Sequence, residues 1–147
     1  MPVTHVNAEG GCLCGAIRYK VDGEVVGSAA CHCRDCQYVC GGAPSYVFVV
    51  AAKALDITKG ETATFRSEAD SGAIRIRHFC PSCGTPLFAE DSAFPHFISI
   101  KAGTLDDPSN YKPAAHFWAG SAPPWHHFDA DTPVFTKGAN SEPVKKG

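Results

Sequence analysis

The chain has 147 residues, 13 Lys and Arg against 15 Asp and Glu for a formal charge of -2, 44% hydrophobic residues and eight cysteines. That length suits one domain with one core, and the near-neutral charge leaves no electrostatic footprint for nucleic acid or an anionic membrane. The longest apolar run, 46–52, falls far short of a membrane span, and residues 1–11 lack the apolar centre of a secretion signal, so a soluble, cytoplasmic protein is expected.

In chain order, the first feature is a glycine-flanked turn, Gly11-Cys12-Leu13-Cys14-Gly15. Apolar and charged residues then alternate from Ile17 to Val21, the period of a half-buried strand. Cys31-His32-Cys33-Arg34-Asp35-Cys36 leads into a short helix expected over 34–39, ended by Gly41-Gly42. Strands are expected over 46–50, 62–66, 74–78, 86–89 and 97–101, with Cys80-Pro81-Ser82-Cys83-Gly84 following the fourth of these ranges' predecessor at His78. A turn is expected near 106–110. His78, Phe79 and Phe88 read as core or strand residues, and Trp118, Trp125, His126 and His127 as aromatic packing over the sheet. Residues 137–147 have little to bury and read as a mobile tail, leaving 1–136 as the single domain. The pattern is mainly β.

Clustered cysteines in a reducing compartment suit metal ligation better than long-range disulfides. Cys80 and Cys83 form a knuckle whose sulfurs converge, with Gly84 free to take positive φ. Pairing the strand after Cys12 and Cys14 with the strand before Cys80 would bring those four sulfurs together as a closed site. The alternative is that Cys12 and Cys14 are merely small buried residues.

Cys31, Cys33 and Cys36 lie within six residues and could face one metal, leaving a coordination position open. Two alternatives remain at this level. Cys40, four residues after Cys36 on a helix, could close the site or pair with Cys36 as a redox switch, and His32 is a lesser rival for the fourth position. No P-loop, dinucleotide fingerprint or HExxH motif is present.

In this order, Gly10-Gly11-Cys12-Leu13-Cys14-Gly15, Cys31-His32-Cys33-Arg34-Asp35-Cys36, Gly41-Gly42, Phe79-Cys80-Pro81-Ser82-Cys83-Gly84-Thr85-Pro86-Leu87 and Lys101-Ala102-Gly103-Thr104-Leu105-Asp106 make the chain resemble the glutathione-dependent formaldehyde-activating, or centromere protein V domain, family over roughly residues 8 to 130. The resemblance implies a β-tent of zinc-ribbon-like antiparallel sheets. It further implies two zinc ions per chain: a structural one on Cys12, Cys14, Cys80 and Cys83, and a catalytic one on Cys31, Cys33 and Cys36. Carbon-sulfur lyase activity follows from it, with glutathione as co-substrate and a small aldehyde as partner. Cys40 stands outside the seven-cysteine pattern. Non-catalytic zinc scaffolding is the competing reading, and oligomeric state is left open, a homodimer among the options. Glutathione carries two carboxylates, so Arg34, Arg66, Arg75, Arg77 and Lys101 are the candidate contacts.

Overall fold

The computed structural model describes residues 4–144. Ten strands and one short helix follow in chain order: β1 (His5–Gly11), β2 (Arg18–Glu24), β3 (Gly27–Cys31), α1 (Arg34–Val39), β4 (Ser45–Ala51), β5 (Leu55–Lys59), β6 (Ala63–Glu68), β7 (Ile74–Phe79), β8 (Pro86–Asp91), β9 (Phe97–Lys101) and β10 (Ala115–Phe117). The mainly β reading holds, and α1 occupies the expected residues.

Two sheets result. One is three-stranded in the order β1-β2-β5; the other is seven-stranded in the order β10-β3-β4-β9-β8-β7-β6. Every pairing is antiparallel except β10 on β3, which is parallel. The alternation in β2 does what its period demands: Tyr19 and Val21 are buried while Lys20 and Asp22 are exposed. Tyr19 and Val21 join Ile17, Phe48, Val50, Leu87, Phe88, Ile98 and Ile100 in one core cluster between the sheets. Each such side chain contributes about 1.5–3 kcal/mol by leaving water. The Tyr19 hydroxyl is satisfied by Thr104 Oγ1 at 2.8 Å, and burial pushes its pKa up to about 12.

One expectation is revised. β2 and β7 do not pair, because β2 is already flanked by β1 and β5, and β7 by β6 and β8. The two cysteine turns therefore meet across the junction of two different sheets. In the segment read as a tail, residues 138–144 run back on the chain: the Val144 N–H donates to Val134 O at 2.7 Å, the Thr136 N–H to Glu142 O at 3.1 Å, and the Lys137 N–H to Ser141 Oγ at 2.9 Å. Among the described residues no helix is long and apolar enough to cross a membrane.

Candidate metal centres

The first centre is built from two hairpin loops. Between β1 and β2 the Cys12 N–H donates to Ile17 O at 3.1 Å, and the Gly15 N–H to Cys12 O at 3.1 Å. Between β7 and β8 the Cys80 N–H donates to Thr85 O at 3.0 Å, and the Gly84 N–H to Cys80 O at 2.8 Å. Gly15 (φ 80) and Gly84 (φ 77) supply the left-handed residue that closes each loop. Backbone N–H groups then point at sulfur: Ile17 at Cys12 Sγ (3.2 Å), and Ser82 and Cys83 at Cys80 Sγ (3.4 Å each). Burial raises the Cys12 thiol, but the Ile17 N–H, with the Cys80 and Cys14 sulfurs, outweighs it and leaves its pKa lowered.

Cys12, Cys14, Cys80 and Cys83 place their Sγ atoms within 4.8 Å of one another. Thr85 ties the loops together, its Oγ1 accepting the Leu13 N–H at 3.1 Å and lying 3.1 Å from Cys83 Sγ. The Thr85 contacts, side chain first, hold Cys83 down to about 5. Nothing local in the sequence marks Thr85 for this role, since only the fold shows that it reaches the other loop.

In the second centre Cys31 ends β3, Cys33 caps α1 and Cys36 lies within it. The Cys33 thiol accepts the Cys36 N–H at 3.4 Å, so the loop that carries the cysteines is also the helix cap. All three Sγ atoms fall within 4.8 Å of one another. Their crowding splits the thiols electrostatically: contacts with Cys31 and then Cys36 push Cys33 down to about 2, while Cys31 and then Cys33 push Cys36 far up. Three thiols in this space share negative charge poorly unless a cation joins them. A sulfur-only donor set fits a soft or borderline cation.

Cys40 is not in this group. It caps the C-terminal end of α1, and its Sγ receives Lys101 Nζ at 3.7 Å, the same amine that hydrogen-bonds Ser45 Oγ. Helical spacing suggested a shared face with Cys36, and the Cys40 N–H does close the last turn on Cys36 O at 2.9 Å, but the Cys40 sulfur turns to Lys101 instead of the cluster. His32 also turns away from the sulfurs. Its Nε2 lies 2.9 Å from His116 Nδ1, whose Nε2 lies 2.8 Å from Asp129 Oδ1, and the Thr132 hydroxyl donates to Asp129 Oδ2 at 2.5 Å. His126 and Phe128 pack against His32 with ring centroids 4.5 and 4.9 Å away. Burial, then the neighbouring His126 and His116, push His32 down to about 4.

Gln37 completes the support, its Nε2 donating to His32 O and Ser121 O at 2.8 Å each. Sequence reasoning missed His116, Asp129 and Gln37, none of which belongs to a cysteine cluster. His126 does pack aromatically, but on this loop, while Trp125 is largely exposed. His78 stacks on Phe88 at 4.2 Å in β7, as expected of a strand residue.

Of the candidate basic residues, Arg34 donates to Gln37 Oε1 and lies over the Tyr38 ring, and Arg77 donates to Ser67 Oγ at 2.9 Å. Arg75 faces Asp91 at 3.5 Å.

With this geometry established, comparison with known proteins is decisive. The profile of the family described as "Glutathione-dependent formaldehyde-activating enzyme" matches residues 7–121, most of the chain. The chain belongs to this family. A relative within it, from Halomonas elongata, carries the name "Putative glutathione-dependent formaldehyde-activating enzyme" and is 25% identical over 122 residues, covering 80% of this chain and 78% of its own. A crystal structure of a Rhodobacter sphaeroides protein shares the fold, with a TM-score of 0.55 at 17% identity over 67% of this chain and 87% of that one. The family match spans both cysteine centres, whereas residues 122–147, including Asp129 and Thr132, lie outside it.

Proposed function

We propose that the chain is a carbon-sulfur lyase-type enzyme that joins a small thiol, glutathione in the first instance, to an aldehyde and reverses that addition. The observation that carries this reading is the three-sulfur cluster of Cys31, Cys33 and Cys36, with no fourth His, Cys, Asp or Glu among the described residues grouped with it. Family membership supplies the thiol and the aldehyde class.

Zinc held by those three thiolates would carry a net charge of about -1, and such a centre would bind an incoming thiol and favour its ionised form. The chain's own part is positional. Cys33 and Cys36 are fixed by the helix cap, and the His32–His116–Asp129 chain pins the peptide between two ligands from the side away from the sulfurs. The substrate sulfur bonds to the carbonyl carbon as the carbonyl π pair moves to oxygen, which takes up a proton to give an S-(hydroxyalkyl) thiol. Reversal breaks that carbon-sulfur bond and releases the aldehyde.

In this reading Cys12, Cys14, Cys80 and Cys83 hold a second zinc that has no chemical step. It staples the three-stranded sheet to the seven-stranded one and contributes to folding. The test is Cys33→Ser: glutathione-dependent aldehyde consumption should vanish while one zinc per chain and the native circular dichroism spectrum remain. Undiminished turnover would exclude the three-cysteine centre.

A further inference from the structure

Strand register brings one cation to the three-cysteine centre. Directly paired residues of antiparallel strands, and every second residue along a strand, share a sheet face. Cys31 pairs with Ser45, and Lys101 pairs with Val47, two residues along β4 from Ser45. Cys31, Ser45 and Lys101 therefore face the same way, opposite Phe48 and Ile100, which fill the core. Directly paired side chains start about 4.5–5.5 Å apart at Cβ. The Lys101 amine donates to Ser45 Oγ and so reaches the residue directly across from Cys31. Its other contact, Cys40 Sγ at 3.7 Å, encloses it from the end of α1, the helix that carries Cys36.

The base of this side chain is held firmly. Ile100 and Ala102 on either side are buried, and Lys101 O accepts the Thr104 hydroxyl at 2.8 Å, which is itself met by the Tyr19 hydroxyl. Of the three ammonium donors, one goes to the Ser45 hydroxyl and one to a weak sulfur acceptor. Among the described residues no carboxylate forms an ion pair with Lys101. The result is a half-buried cation with a donor in hand, fixed next to the sulfurs and unclaimed by any acid. Such a group stabilises negative charge that develops on an oxygen, and does so more strongly away from bulk water.

We propose that Lys101 is a further catalytic residue: its ammonium donates a hydrogen bond to the aldehyde oxygen as that oxygen becomes an alkoxide. This rests on the thiol-addition reading above and adds the group that meets the oxygen. The thiol gives its proton to solvent. Its sulfur pair bonds to the carbonyl carbon, the carbonyl π pair moves to oxygen, and a proton from solvent completes the hydroxyl. Lys101 keeps its charge throughout.

The experiment titrates cobalt-loaded full-length protein with thioacetate and, separately, with ethanethiol, and follows the thiolate-to-cobalt charge-transfer band. Both bind as monoanions through sulfur, but only thioacetate carries a partly negative oxygen on the carbon next to that sulfur, as the adduct does. Lys101→Met should weaken thioacetate about 10–100-fold, the loss of one charged hydrogen bond, and leave ethanethiol unchanged, which also shows the variant to be folded. Lys101→Arg should restore most of the thioacetate affinity. In turnover, Lys101→Met should lower kcat about 10²–10³-fold. Equal weakening of both ligands, loss of both, or no change in either would make the lysine a structural or long-range charge and overturn the assignment. A wild-type band that answers neither ligand would overturn the open-site reading and Lys101 with it, whereas a wild type that answers both beside an insensitive Lys101→Met would overturn Lys101 alone.

Discussion

His116 is the residue whose replacement should disturb the second centre without touching a sulfur. His116→Phe keeps an aromatic ring of similar size in the buried site, so little cavity forms, but it removes both hydrogen bonds the imidazole makes. His32 is 1% exposed and loses the partner of its Nε2, a cost of about 1–3 kcal/mol for a buried polar atom left unpaired. Asp129, half exposed in its side chain and still held by the Thr132 hydroxyl, regains water and adds little. A net loss of about 1–3 kcal/mol follows. With an unfolding entropy of about 2.1 cal/mol/K per residue, a chain of this length should melt roughly 3–10 °C lower. Because His32 lies between Cys31 and Cys33 in the chain, the second centre should also release metal to a chelator about 10–100-fold more readily, while the first is unaffected. Thermal melting by circular dichroism and stepwise metal release to a chromophoric chelator measure both effects. A melting temperature within about 1 °C of wild type, with unchanged release, would refute the idea that this chain supports the loop.

Three further outcomes are expected. Cys80→Ser should cost one metal ion per chain and most of the folded protein, because it opens the junction between the two sheets; metal analysis with circular dichroism checks this, and a folded protein of unchanged metal content would contradict it. Cys40→Ser should leave metal content and thiol binding unchanged, because the Cys40 sulfur meets Lys101 rather than the cluster; loss of one metal would show that it closes the second centre. The His32 ring should titrate near pH 4 by nuclear magnetic resonance. Since its folded pKa lies below the unfolded value of about 6.5, its stabilising contribution is complete above pH ~6.5 and declines as pH falls toward 4. A midpoint near 6.5 would contradict its buried, histidine-packed setting.

The site was more legible in the sequence than the sheet that carries it. C-x-C and C-x-x-C spacings constrain sulfurs locally, so the two groups could be named before any fold was known, and α1 was marked by the run into Gly41-Gly42. β2 and β7 announced themselves by strict alternation. β1, β3 and β10 did not: Gly10, Gly11 and Gly27 have no side chain to show a period, Ser28, Ala29 and Ala30 are uniformly small, and β10 has only three residues. Without β1 in view, β2 seemed free to pair with β7. The His32–His116–Asp129 chain was hidden for a different reason, since its members are 84 and 13 residues apart and nothing local in the sequence reports a long-range contact.

The most direct test of the central claim is the sulfur coordination number from zinc K-edge X-ray absorption, measured before and after adding glutathione to the zinc-loaded protein. One centre with four protein sulfurs and one with three should average about 3.5 sulfurs per zinc and rise to about 4 as the thiol enters the second centre. An average of 4 sulfurs before glutathione is added, or one that stays at 3.5 when it is saturating, would contradict a thiol-accepting three-cysteine zinc.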